Sequence, residues 1–339
     1  MTKEQATNIR EVAALAGVST ATVSRALQRP DQVRPETRQK VMEAIKQANF
    51  VPNSQARNLR LQSNHTVILL VRDISNPFYL EIYKGVEETA SEAGYKVLMG
   101  DARNSEERVA NHIEMVRQKH ADGLILMTGH FPADLLENQE LLPPLVIASE
   151  SIPGLHLPTV KVDNRVASLE AVKHLLDRGH GNIAHLAGPL PEALASERLD
   201  GYRQALADAG VEYRDELVIR GDYSIESGRD AVQRLLQQNI AFSAIFAASD
   251  QMAIGAISEL RKHDLSVPRD VSVIGFDDMI FANAYDPPLT TVRQPRREMG
   301  QRAMSLMIEI LSGRSTAETI ELNTDLVVRG SVAPFPPGR

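Results

Sequence analysis

Hydrophobic positions along the chain follow two different rhythms. Through residues 9–28, apolar side chains return at helical spacing in two short runs split by Gly17. Ile9, Val12, Ala13 and Ala16 share one face of the first run, and Val23 and Leu27 give the second its buried stripe. Gly17 supplies the left-handed backbone that ends the first helix, and Ser19 is a good N-cap for the second. Thr20, Ala21, Thr22, Ser24 and Arg25 are left on the outer face. A third helix is predicted over 35–49, with Pro35 in its first turn and a core stripe of Val41, Met42, Ile45 and Ala48. Residues 50–52 break it. Residues 53–61 carry a polar cap but too little apolar surface to hold a helix alone, and 62–65 read as a polar linker.

From Thr66 onward, short apolar strands alternate with amphipathic helices. Strands are predicted at 67–71, 97–100, 124–127, 145–148 and 160–162, then at 183–187, 217–220, 244–247 and 271–276. Helical runs fall near 79–93, 105–119, 165–178, 194–209, 225–238 and 251–262. Continuous apolar strands with intervening helices point to parallel sheets covered on both faces. Two consecutive sets point to two doubly wound domains. The fold class is therefore α/β: an all-α helix-turn-helix headpiece and hinge segment, then a two-subdomain core. The predicted boundaries are 1–52, 53–65 and 66–339. Within the core, one subdomain takes about 66–163 and 293–321, and the other about 164–292 and 322–339.

The outer face of the second helix suggests its chemistry. Short side chains at a helix N-terminus let the helix sit deep in a DNA major groove, and Arg25 can reach guanine or phosphate. A plain helical hairpin is the alternative, but charge favours DNA. Residues 1–62 hold ten Lys/Arg against five Asp/Glu, whereas the whole chain has a net charge of −7. A basic end on an acidic body fits a nucleic-acid module joined to something else. At 339 residues the chain is too long for one ordinary core. It has no cysteine, so disulfides and thiolate metal sites are excluded. The N-terminus lacks a signal-peptide pattern, and no apolar run approaches the ~20 residues of a membrane span, so a cytoplasmic protein without a membrane partner is expected.

No catalytic motif is present: no Gly-x-Ser-x-Gly, no phosphate-binding Gly-x-x-x-x-Gly-Lys and no His-Glu-x-x-His. His180 and His185 lie five apart across a loop-to-strand junction, which is not ligand spacing. No enzyme, cofactor or metal site is expected.

Several motifs together resemble the LacI/GalR family of bacterial transcription regulators over essentially the full length. They are Val-Ser-Thr-Ala-Thr-Val-Ser-Arg (18–25), Phe-Val-Pro-Asn-Ser-Gln-Ala-Arg-Asn-Leu (50–59), Ser-Asn-Pro-Phe-Tyr (75–79), Arg-Leu-Asp-Gly-Tyr (198–202), Ser-Asp-Gln-Met-Ala-Ile-Gly (249–255) and Ser-Val-Ile-Gly-Phe-Asp-Asp (272–278). Asp-Pro-Pro-Leu-Thr-Thr-Val-Arg-Gln-Pro (286–295) completes the set. Leu-Met-Gly-Asp (98–101), Leu-Pro-Thr-Val-Lys-Val-Asp-Asn (157–164) and Arg-Gly-Asp-Tyr (220–223) resemble cytidine-responsive members that control nucleoside uptake and catabolism. One departure is Gly181-Asn182, where many relatives carry a basic pair after Gly-His.

The resemblance implies a homodimer, or a dimer of dimers, that binds a near-palindromic double-stranded DNA operator, and a core like the periplasmic binding proteins. The absence of a C-terminal leucine heptad favours the dimer. Ser19, Thr20, Ala21, Thr22, Ser24 and Arg25 become the reading helix. Asn53, Gln55, Ala56, Arg57, Leu59 and Arg60 become a hinge helix, with Leu59 wedged into a minor-groove base step and Arg57 beside it. Ordinary packing is the other role open to Leu59. A co-bound activator protein on DNA is left open.

In doubly wound folds, ligands bind beyond the carboxyl ends of the strands. That rule and the resemblance nominate Phe78, Tyr79, Glu150, Arg198, Tyr223, Ser249, Asp277 and Gln294 for a small-molecule effector. Aromatic faces can stack on a base or sugar, Arg198 can fork onto a carbonyl or hydroxyl pair, and Asp277 can take two ring hydroxyls at once. Phe78 and Tyr223 also suit a core role. Asp250 is expected to cap the helix starting near Gln251, and Asp278 to be a loop or cap residue. A nucleoside such as cytidine, a sugar and a sugar phosphate all fit these residues. A solute-binding transport protein is a remote alternative, disfavoured by residues 1–62.

Overall fold

The computed structural model describes residues 8–50, 63–314 and 318–336. The chain forms two compact units, Met1–Ser63 and Asn64–Arg339. The predicted hinge residues Asn53, Gln55, Ala56, Arg57, Leu59 and Arg60 lie outside the described residues.

The first unit contains helices α1 (Ile9–Leu15), α2 (Thr20–Gln28) and α3 (Pro35–Gln47). Asn8 caps α1 by accepting from the backbone N–H groups of Arg10 and Glu11. Gly17 turns the chain at φ +66°, a conformation that costs a residue with a Cβ. Ser19 then caps α2 by accepting from Thr22 N at 3.2 Å. Val12, Val23 and Val41, one from each helix, are fully buried and meet in the core of the unit. The α3 stripe differs from the expected one at Met42, which is half exposed. Val41, Ala44, Ile45 and Ala48 face inward instead, at the 3–4-residue spacing of one helical face.

The second unit holds two six-stranded sheets. The first has the order β11-β5-β4-β3-β1-β2, all parallel, from β1 (Thr66–Val71), β2 (Lys96–Asp101), β3 (Gly123–Met127), β4 (Leu145–Ala148), β5 (Thr159–Val162) and β11 (Thr319–Leu322). The second runs β12-β10-β9-β8-β6-β7, from β6 (Ile183–Ala187), β7 (Val218–Arg220), β8 (Ala244–Ala247), β9 (Ser272–Asp277), β10 (Thr290–Arg293) and β12 (Asp325–Val327). Only β12 pairs antiparallel there. Helices α4 (Phe78–Glu92), α5 (Glu106–Arg117), α6 (Ala133–Glu137) and α11 (Arg296–Leu311) accompany the first sheet. Helices α7 (Asn164–Leu176), α8 (Ala193–Asp208), α9 (Ile225–Gln237) and α10 (Asp250–Lys262) accompany the second. Each sheet therefore has an apolar cluster on both faces.

The nine strands predicted from the sequence all form. β10 (Thr-Thr-Val-Arg), β11 (Thr-Ile-Glu-Leu) and β12 (Asp-Leu-Val) do not stand out in the sequence because polar residues interrupt their short apolar runs. β11 and β12 are also largely exposed and lack a continuous apolar run. The chain passes between the halves after β5, after β10 and after β11. In each sheet the strand order reverses beside the first strand, between β1 and β3 and between β6 and β8. Those reversals open a crevice at the carboxyl ends of the strands.

Candidate functional site

In the first unit, Ser19, Thr20, Ala21 and Arg25 are exposed, while Thr22 and Ser24 are half-buried. Thr22 Oγ1 lies 2.9 Å from Ser19 Oγ, so those two side chains brace the start of α2. Arg10, Arg29, Arg34, Arg38, Lys40 and Lys46 are also exposed, which gives the unit a basic surface.

In the second unit, residues from both sheets line a cavity of about 330 Å³. This is large enough for a small ligand. Phe78, Tyr79, Glu150, Arg198, Tyr223, Ser249 and Asp277 all line it. Gln294 does not. It sits behind the cavity on the crossing from β10 to α11 and donates from Nε2 to Asp277 Oδ1 at 2.8 Å. Phe78 and Tyr79 also join the apolar cluster of the first half, so the cavity and core roles coincide in them.

Several residues with a left-handed backbone line this cavity. Ser149, Tyr223 and Asp277 have φ of +65°, +71° and +118°, all in the region that favours glycine. Each follows or ends a strand, and each faces the cavity. Such strain costs roughly 1–3 kcal/mol per residue and persists where surrounding structure imposes it, often at ligand sites. Tyr223 is held by close packing: a Cβ on Gly188 would lie 2.3 Å from its ring. Its Oη is buried and makes no hydrogen bond among the described residues.

The buried charges are held by groups that bind or repel them. Arg198 donates from Nε to Asn164 Oδ1 at 3.0 Å and from Nη1 to Ala248 O, and it lies 3.8 Å from the Phe276 ring centroid. Asn164 is itself on the β5-to-α7 crossing and also donates to Glu197. Arg198 and Asp277 are thus each tied to a side chain on an inter-sheet crossing. Burial pushes the Asp277 carboxyl up to about 6, although Arg198, Arg296 and Gln294 pull it down. Burial likewise raises Glu150 to about 7, opposed by Arg72 and reinforced by Glu192. Burial also raises the phenols of Tyr79 and Tyr223.

Asp250 does not cap α10. Ser249 does, accepting from Met252 N at 3.2 Å. Asp250 is fully buried one residue later, where it accepts from Met279 N at 2.7 Å and Thr291 Oγ1 at 2.6 Å. Its carboxyl is raised by burial and by the nearby Asp277 charge. Asp278 is a structural ion-pair residue, 2.7 Å from Arg293 Nε and 2.6 Å from Arg329 Nη2. His180 and His185 also have structural partners. His180 lies 3.0 Å from Ser243 Oγ, and His185 stacks between Tyr202 and Phe246.

Sequence reasoning missed Arg72, which lines the cavity, and Asn164, which positions Arg198. Arg72 directly follows β1, so the strand-end rule could have found it. No groups of three or more His, Cys, Asp or Glu with metal-holding geometry occur among the described residues, and no described helix is long and apolar enough to cross a membrane.

Comparison with known proteins gives two family matches. The model for bacterial regulatory proteins of the lacI family matches residues 8–53, and that for periplasmic binding proteins and sugar binding domain of LacI family matches 64–328. The HTH-type transcriptional repressor CytR of Escherichia coli (strain K12) is 40% identical over 336 residues, covering 98% of each chain. The ribose operon repressor of the same strain is 34% identical over 327 residues, covering 95% of this chain and 99% of its own. Among solved structures, the lac repressor dimer bound to operator and the anti-inducer ONPF superposes with a TM-score of 0.86 at 27% identity, covering 97% of this chain and all of that one.

Proposed function

The chain belongs to the LacI family of bacterial regulatory proteins, and from that premise we propose that it is an effector-responsive repressor controlled by an uncharged nucleoside or sugar. As a homodimer it binds a palindromic operator, with α2 in the major groove and the 53–61 segment at the operator centre. The effector occupies the cavity between the sheets. Asp277 accepts ring hydroxyls, Arg198 donates to them, and Phe78, Tyr79 and Tyr223 supply apolar walls.

The observation that carries this reading is the convergence of Ser149, Tyr223 and Asp277, all strained, on one cavity built from two sheets. Their placement at strand ends, with Arg198 and Asp277 tied to crossings, supports a site whose occupancy alters the closure of the two halves. The 40% identical CytR relative favours a nucleoside. The sugar binding domain match and the ribose operon repressor favour a pentose as the second reading.

The test is a thermal-unfolding screen with cytidine, other nucleosides, free nucleobases, ribose and other sugars. A ligand that binds only the folded state raises the melting temperature by mass action. A rise with a nucleoside or sugar, lost in Asp277→Ala, is the expected result. A rise that survives Asp277→Ala contradicts the placement of the site.

A further inference from the structure

Glu192 holds the N-cap position of α8, yet its side chain makes no cap hydrogen bond. Glutamate is not among the side chains that favour that position, which Ser, Thr, Asp and Asn fill by turning back to the helix N–H groups. Instead, its carboxylate reaches into the other half of the core. Arg72 Nη1 donates to Glu192 Oε1 at 3.3 Å, and Arg72 Nη2 bonds to Oε2. His130 Nε2 lies 3.9 Å from Oε1. Arg72 follows β1 and His130 follows β3, the strands on either side of the order reversal in the first sheet. Glu150, also from the first half, lies 3.9 Å from Arg72 Nη2. One guanidinium therefore stands between two carboxylates, one from each half. All three side chains are largely buried, at 9% exposed for Arg72, 8% for Glu150 and 21% for Glu192.

This changes what the cavity can bind. Arg72 and Arg198 are its only cationic lining residues among those described, while Asp73, Glu150, Asp222, Glu226 and Asp277 also line it. Arg198 already bonds Asn164 through Nε and Ala248 through Nη1, so its remaining Nη2 donors suit a hydroxyl better than the bidentate grip a phosphate asks for. A phosphate requires charge-assisted donors, and arginine supplies them best in a free bidentate fork. Glu192 occupies that fork on Arg72.

We propose that Glu192 is a specificity-determining residue: by holding Arg72 across the cleft, it denies phosphorylated ligands their cation and reserves the site for uncharged ones. This rests on reading the cavity as the effector site. Like charges brought together without a partner are strongly unfavourable, so a site lined by carboxylates rejects an anion as well as favouring its own ligand. Replacing Glu192 with an uncharged residue of similar shape frees the Arg72 fork.

Calorimetric titration of the full chain tests this, using cytidine, cytidine 5′-monophosphate, ribose and ribose 5-phosphate. The wild type is expected to prefer the unphosphorylated member of a pair by at least about 100-fold. Glu192→Gln should narrow that preference by at least about tenfold, with phosphate binding that weakens as salt rises. The double variant Arg72→Gln/Glu192→Gln should lose the gain. If Glu192→Gln does not fold, Glu192→Met provides the same reading. Equal binding of both members by the wild type overturns the inference but leaves the ligand-responsive repressor standing. So does an unchanged ratio in Glu192→Gln, or a gain retained in the double variant. If nothing binds the wild type, the effector reading fails first and this inference falls with it.

Discussion

In the headpiece, Ser19, Thr20, Ala21 and Arg25 face solvent, whereas in the core Arg72, Glu150, Arg198 and Asp277 are each less than a tenth exposed. The headpiece carries its candidate chemistry on the outside of a small apolar centre made by Val12, Val23 and Val41. Apart from Ser19, which caps α2, these side chains are hydrated until DNA arrives and need no partners within the protein. The core takes charge out of water, which is costly unless each ion finds a counterion or hydrogen bond. Its candidate site is accordingly a network in which Asn164 holds Arg198, Gln294 holds Asp277, and Glu192 with Glu150 holds Arg72. An exposed site can be altered one residue at a time, but a buried one transmits each change to its partners.

That contrast can be broken most sharply at Arg25. An arginine that reads a base edge is worth about 1–3 kcal/mol, counted twice in a dimer. Arg25→Ala should therefore abolish specific operator binding in a gel-shift assay while leaving effector titration unchanged. In the core, Asp277→Asn removes a charged acceptor worth about 1.5–3 kcal/mol. It should weaken effector binding at least tenfold by calorimetry and leave ligand-free operator binding intact. If either variant damages both activities equally, the two sites are not separate.

Stability offers a further contrast. Val23→Ala and Val146→Ala each remove two methyl groups from a fully buried position, at a cost of about 2 kcal/mol. In the headpiece this is a large fraction of the few kcal/mol a unit of that size holds. Amide hydrogen exchange should show α1–α3 opening in Val23→Ala, and only a small fall in melting temperature in Val146→Ala. Salt should separate the units as well. Raising it from 50 to 200 mM is expected to weaken operator binding more than tenfold, and uncharged-effector binding less than twofold.

A last contrast is one of pH. Glu150 is raised to about 7 and Asp277 to about 6 by burial, so the folded core holds protons that the unfolded chain releases near pH 4 to 5. Protons bound more tightly by the folded state stabilise it below the unfolded pKa, and that stability is lost as pH rises through the folded value. Core melting temperature is therefore expected to fall between pH 5 and 8 from these two groups. Glu150→Gln should flatten part of the slope. An unchanged slope contradicts the burial-driven shift.

How much of this was legible in the sequence follows the same division. Gly17 and Ser19 declare their roles through local backbone chemistry, and the structure places a left-handed turn and a cap there. The central strands β1, β3, β4, β6, β8 and β9 were legible because continuous apolar runs mark buried parallel sheets. Phe78, Tyr79, Glu150, Arg198, Tyr223, Ser249 and Asp277 lie together at one cavity because strand ends converge there. Asp250 was misread because an acidic residue at a helix start looks like a cap, and only tertiary packing delivers Met279 and Thr291 to it. The Arg72–Glu192 pair joins residues 120 apart across two halves, and no local pattern encodes it.

The central claim is that one chain couples the core cavity to the operator. The most direct measurement is fluorescence anisotropy of an operator selected by the full-length protein from random duplexes, titrated with and without saturating effector. Effector affinity is then measured on free and operator-bound protein. The account predicts that operator affinity changes at least fivefold, that effector affinity changes by the same factor, and that both changes vanish in Asp277→Asn. An effector that binds the Asp277 cavity yet leaves operator affinity unchanged would contradict it.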